Sequence, residues 1–268
     1  MFETPTFQKP PIVEFVLGVQ FSPLTRLSAG HFGLFWQELG EEWNSPEDGP
    51  PIQDQFELFD RPKWSHRFGA ALRIEPGMPV GRFIVNHKDG DRLVQFQATR
   101  FHFNWRNKGD LKPSYKELIS KFEAMFDLFQ KFTAKVGLGD LVLNQWEVTY
   151  VDSFPQQDYW QTPADWSKFV PGLFGDLFSS PGMVLEHRAA EWSFEIVPKR
   201  GRVHIAAQPG RRDGESDSLL ITTTARGPIG KGGVVTLREG LDLGHEMAVQ
   251  SFLKMTSPDV QQQWGDVK

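Results

Sequence analysis

A chain of 268 residues with 39 % hydrophobic and 24 % charged residues has the composition of a globular protein and can bury a core without staples. Its 29 Lys plus Arg against 34 Asp plus Glu leave a net charge of −5, and it has no cysteine. A disordered or fibrous chain is excluded, as are disulfides, thiolate zinc sites, iron–sulfur clusters and cysteine nucleophiles. No apolar run approaches the roughly 20 residues that span a bilayer. Met1 to Pro5 shows no basic segment leading into an apolar run, so no signal peptide is expected and the cytoplasm is the default. The 23 Phe and 9 Trp against 3 Tyr suit a dry core between helices and a sheet.

Taken in chain order, Ile12 to Phe21 alternates Val13, Phe15, Leu17, Val19 and Phe21 against Glu14, Gly18 and Gln20, a strand with two unlike faces. Ser28 caps a helix expected over 28–44 through Phe32, Phe35, Trp36, Leu39 and Trp43. Ser45 to Pro51 reads as an acidic loop rich in proline and glycine. Trp64 to Glu75 alternates as a strand. Arg82 to His87 and Leu93 to Arg106 read as a hairpin across Lys88-Asp89-Gly90-Asp91. Ser114-Tyr115-Lys116-Glu117 is a capping box opening a helix over 114–136 with the stripe Leu118, Phe122, Met125, Phe126, Phe129 and Phe132. Strands follow at Leu141–Val151, Val184–Val197, Arg202–Gln208 and Ser218–Arg226, with a short helical stretch after Thr162. Thr236-Leu237-Arg238-Glu239 opens a last helix over 236–256, through Leu241, His245, Ala248, Phe252 and Met255.

Both halves, 1–137 and 138–268, thus read strand, helix, several strands, long capped helix. The element order predicts an internal duplication within one domain of 268 residues. The fold class is α+β, an antiparallel sheet with the long helices on one face, burying Phe15, Phe122, Phe126, Phe129, Leu241 and Phe252. That order resembles a duplicated TATA-binding-protein-like or helix-grip arrangement.

Few motifs carry chemistry. His245 falls on the side of its helix that bears Leu241, Ala248 and Phe252, where a buried histidine bonded to a carboxylate or to backbone is the ordinary occupant. Gly244-His245-Glu246-Met247 lacks the second histidine of a zinc helix, so no metal is assigned. Glu14 and Glu147 each sit alone in mid-strand. Related by a pseudo-dyad, they would approach each other and share a proton or a cation. Gly227 to Gly233 is rich in glycine but matches neither phosphate-binding pattern. No catalytic set and no cofactor motif is found.

Charge is distributed unevenly. Residues 1–60 carry −8, residues 61–121 carry +8 and residues 198–231 carry +4. Arg67, Arg73, Arg82, Lys88, Arg202, His204 and Arg226 alternate with apolar residues, joined by Gln95, Gln97, Thr222 and Thr224. A shared face of this composition tracks phosphates, with Phe101, Phe103 and Trp105 offering stacking.

Pro11-Ile12-Val13-Glu14-Phe15-Val16-Leu17-Gly18-Val19-Gln20-Phe21 at one end, and Leu241 to Glu246, Phe252, Thr256-Ser257 and Trp264-Gly265 at the other, resemble a sporadically distributed bacterial family of uncharacterised proteins of about this length. That resemblance implies an accessory gene, of the defence or toxin–antitoxin kind, and no activity. Opposed charge blocks predict a homodimer or larger complex. The expected function is a non-enzymatic binding protein that engages nucleic acid or a protein partner through Arg67, Arg73, Arg82, Arg202 and Arg226, with no membrane. The alternative is a small-ligand protein or enzyme with a pocket between sheet and helices, near Glu14, Glu147 and His245. Such a pocket needs a few hundred Å³, convergent polar groups and a perturbed carboxylate or histidine.

Overall fold

A computed structural model describes residues 7–59, 81–108, 112–175, 181–211, 216–230 and 233–265. The strand expected over Trp64–Glu75 lies outside the described residues. Nine antiparallel strands are described: β1 (Ile12–Phe21), β2 (Trp43–Gly49), β3 (Arg82–His87), β4 (Arg92–Gln97), β5 (Arg100–Arg106), β6 (Leu143–Pro155), β7 (Ala190–Ile196), β8 (Gly201–Arg211) and β9 (Asp217–Pro228). They form one sheet in the order β2-β3-β4-β5-β1-β6-β9-β8-β7. The helices are α1 (Ala29–Leu39), α2 (Tyr115–Lys135), α3 (Gln156–Tyr159), α4 (Trp166–Phe169), α5 (Leu237–Met255) and α6 (Pro258–Gln263).

Several boundaries differ from expectation, three of them for a plain local reason. Helix α1 stops at Leu39 because Gly40 takes φ +84°, and Trp43 opens β2 instead of closing the helix. The proline-containing stretch read as a loop is this edge strand, where Pro46 costs no ladder bond inside the sheet. Leu93–Arg106 is two strands, because the chain turns at Ala98-Thr99.

Alternation gives the sheet two unlike faces. Phe15, Leu17, Val19 and Phe21 of β1, Phe101, Phe103 and Trp105 of β5, and Trp146, Val148 and Phe154 of β6 are all buried. Register sets Val19 against both Phe101 and Trp146, so these residues share the apolar face. Phe101, Phe103 and Trp105 therefore belong to the core and offer no stacking platform. Phe35 of α1 meets Phe96, Phe129 and Phe132 at ring separations of 5.0–5.3 Å. Phe122, Phe126 and Phe129 of α2 meet Phe101. The α2 capping box forms as read, with Ser114 Oγ accepting from Glu117 N and Glu117 accepting from Ser114 N. Helix α5 comes so close that a Cβ on Gly240 would lie 2.3 Å from the Trp146 ring, and one on Gly244 would lie 2.7 Å from it. Only glycine fits at these two positions.

Of the six residues expected in the core, Phe15, Phe122, Phe126, Phe129 and Leu241 are buried. Phe252 is half-buried, because it lines a cavity. No helix of the described residues is long and apolar enough to cross a membrane.

Candidate ligand-binding site

The polar face carries Glu14, Gln20, Gln95, Gln97, Arg100, His102, Asn104, Gln145, Glu147, Arg202, His204 and Arg226. Residues 52–58, between β2 and β3, run across one end of it as a strap. Ile52 exchanges two hydrogen bonds with Gln97, Asp54 accepts from Thr99 and Gln53 O accepts from Arg100. Gln55 N donates to Gln20, and Glu57 N lies 3.4 Å from Gln145 Oε1.

Glu57 is the centre of this arrangement. Its side chain is 2 % exposed and takes Arg202 Nη1 at 2.6 Å, His204 Nε2 at 2.7 Å and Arg226 Nε at 2.8 Å. Burial pushes its carboxyl upward, but His204 and the two guanidiniums outweigh that and hold it far below the usual carboxylate range. Glu147 lies 3.4 Å from both Arg100 and Arg226 and is likewise held low against its burial. His102, beside it, is kept neutral by burial, with its pKa down to about 3.

Arg202 and Arg226 are register neighbours on this face, yet the strap covers them and they are paired. Arg82 is half-buried on β3, five strands away from β9, which is about 24 Å at ordinary strand spacing. Arg67 and Arg73 lie outside the described residues. The five arginines are therefore not laid open as one group among the described residues.

Glu14 and Glu147 share the polar face but do not meet. Glu147 stands opposite Gly18, four residues along β1 from Glu14, or about 13 Å. Glu14 instead accepts from Asn104 and Arg106 at 2.8 and 3.1 Å. His245 lies on the other side of the sheet, so the three residues expected around one pocket do not converge.

His245 does line a pocket. Between the start of α2, the middle of α5 and strands β1 and β6 lies a cavity of about 580 Å³. Phe7, Phe15, Trp105, Tyr115, Tyr150 and Phe252 supply aromatic walls. Tyr115 stacks on the His245 ring at 3.8 Å and donates to Asp242 at 2.8 Å. The Tyr150 hydroxyl is 2.6 Å from His245 Nδ1. Burial, reinforced by Asp152, pushes the Tyr150 phenol well above its usual value, so it keeps its proton and donates. Burial lowers His245 to about 4, with Asp242 opposing, so the imidazole is neutral and accepts.

Asp152 is the group the sequence reading missed. It sits on the apolar alternation of β6 after Trp146, Val148 and Tyr150, is 4 % exposed and lines the cavity. It makes no hydrogen bond or ion pair among the described residues, and burial alone raises its pKa to about 8. Thr223, opposite Tyr150 on β9, is 1 % exposed and its hydroxyl has no partner. Lys112 stands at the rim with its ammonium on Pro10 O, 2.8 Å away. Among the described residues, no group of three His, Asp or Glu is placed to hold a metal ion. No family model, no curated protein and no solved structure matches this chain.

Proposed function

We propose that this chain is a binding protein for a small, largely apolar molecule, held in the cavity between β1, β6, α2 and α5. The observation that carries the reading is Asp152, a carboxyl buried without a partner and facing an aromatic-walled space beside a second unpartnered hydroxyl. Burying such a group costs about 1–3 kcal/mol unless something completes it, so a core residue with no further role would not be an aspartate. A cavity of this size suits a ligand of drug-like dimensions. No residue is given a catalytic role.

The reading that favours nucleic acid or a protein partner on the basic face is less well supported, because Glu57 already engages Arg202 and Arg226. The duplication belongs to the proposal as well. Outward from the central β1–β6 pair the sheet runs β5, β4, β3 and the edge strand β2 on one side and β9, β8, β7 on the other. This supports two related halves, 1–137 and 138–268, with α1, α2 and α5 on the apolar face. A bacterial accessory role in the cytoplasm rests on the two terminal segments alone.

The test is titration with the neutral apolar dye Nile red. Saturable binding at one site is expected, lost in Val249→Trp, which fills the cavity from α5, while the unfolding midpoint stays put. Dye binding that is unsaturable or untouched by Val249→Trp would overturn the reading.

A further inference from the structure

Among the described residues, no cation is paired with the acid in this cavity, although Lys112 and Lys116 are among its lining residues. Lys112 is held at the rim by a backbone carbonyl, and burial raises the Asp152 pKa, so among the described residues no cationic side chain is seen to act on that carboxyl. His245 is neutral and committed to Tyr150. Asp152 and Thr223 lie on adjacent strands, one pleat apart along the register, and both face the same space. An ammonium group placed there would meet a carboxylate and a hydroxyl oxygen, both short of donors. Phe15, Trp105 and Tyr150 line the same cavity, and aromatic rings tolerate an organic cation better than aliphatic walls do. A purely apolar ligand would leave both oxygens unpaired.

We propose that the ligand is a primary amine on an aryl or alkyl body, its ammonium seated on Asp152 and Thr223 and its apolar part against Phe15, Tyr150 and Phe252. This rests on the pocket reading above. Binding then carries a proton signature. Free Asp152 holds its proton at neutral pH, with a pKa of about 8, and it must ionise to pair with the ammonium.

The experiment is calorimetric titration at pH 7, in two buffers of different ionisation enthalpy. The probes are 2-phenylethylamine, tryptamine and octylamine, each beside its alcohol counterpart. At least one amine is expected to bind roughly tenfold or more tighter than its alcohol, with release of close to one proton. Asp152→Asn should abolish both the preference and the proton release while leaving the alcohols unchanged. Thr223→Val should weaken the amine but keep the proton release, a control that does not depend on the Asp152 variant folding. Alcohols that bind as tightly as amines, without proton release, would overturn the inference while leaving the pocket intact. If Nile red is also not displaced by any probe, the amine inference falls and the cavity is open only to other chemistry. If the dye itself does not bind saturably, the pocket reading falls with it.

Discussion

The two faces of the sheet treat buried charge in opposite ways. On the polar face every strong charge near the strap is answered from within the chain. Glu57 reaches over from between β2 and β3 to take two guanidiniums and an imidazole, and Glu147 sits between Arg100 and Arg226. On the apolar face Asp152 is as deeply buried and has no partner among the described residues. A network of paired charges fixes geometry, whereas an isolated carboxyl beside a cavity costs stability that a ligand returns. Formal charge alone would have pointed to the other face.

The largest expected effect lies in the strap. Glu57→Ala would take from Arg202, Arg226 and His204 the carboxylate they share, leaving Arg226 with Glu147. A loss of about 3–5 kcal/mol in urea unfolding is expected. A loss under about 1 kcal/mol would make the strap a surface decoration, and the contrast between the faces would fail.

Removing the unanswered carboxyl should do the reverse. Asp152→Asn is expected to stabilise the free protein at pH 8 by several kcal/mol, since it removes a buried group that the unfolded chain ionises and keeps the shape. Destabilisation would mean that Asp152 has a partner in the free protein.

The pH dependence has two limbs of opposite origin. Asp152 keeps, when folded, a proton that the unfolded chain gives up near pH 4, so its share of stability falls as pH rises from about 4 to about 8 and is flat above. Asp152→Asn should flatten that slope. Glu57 is held low, so its contribution is full at neutral pH and drains as pH drops through and below the ordinary carboxylate range. His245, buried neutral, adds to the same acid loss between about 6.5 and about 4. Denaturant midpoints at unit pH intervals for wild type and both variants would separate the limbs. A slope unchanged by Asp152→Asn would assign the neutral-to-alkaline loss elsewhere.

The smallest effect is expected at the open end of the polar face. Arg106, 42 % exposed, pairs with Glu14 at 3.1 Å, and Arg106→Ala should cost under about 1 kcal/mol and shrink further in salt. A cost like that of Glu57→Ala would show that the whole face is one network.

Elements with strong local signals were legible from the sequence. The Ser114 box, the phenylalanine stripe of α2 and the alternation of β1 are encoded within a few residues of one another, and the described residues follow them. The strap was not legible, because Ile52 to Leu58 has neither helical nor strand period. Its partners, Gln97, Arg100, Gln20, Gln145 and Arg202, are distant in sequence. Arg202 and Arg226 were seen as basic residues on one face, but what lies over them is set by tertiary structure. Asp152 was missed by one residue. The strand was expected to end at Val151, so the aspartate fell in a loop, where aspartate is ordinary; β6 runs on to Pro155. Extending the alternation Val148, Tyr150, Asp152, Phe154 would have shown a carboxyl in an apolar row. His245 was correctly placed on the inward side of its helix, but its partner, a tyrosine hydroxyl on β6, is not encoded in its neighbourhood.

The strap also has a timetable. Its first part, Ile52 to Gln55, docks on Gln97, Thr99, Arg100 and Gln20, all made within the first hundred residues. Glu57 must wait for Arg202, His204 and Arg226, which follow it by 145, 147 and 169 residues. At roughly 5–20 residues per second, a ribosome takes on the order of ten seconds or more to supply them. Throughout that interval the emerging first half carries a half-fastened strap. Its closure over β8 and β9 then marks the arrival of the second half, so a chain cut short before β8 would be left with that end loose and open to proteolysis.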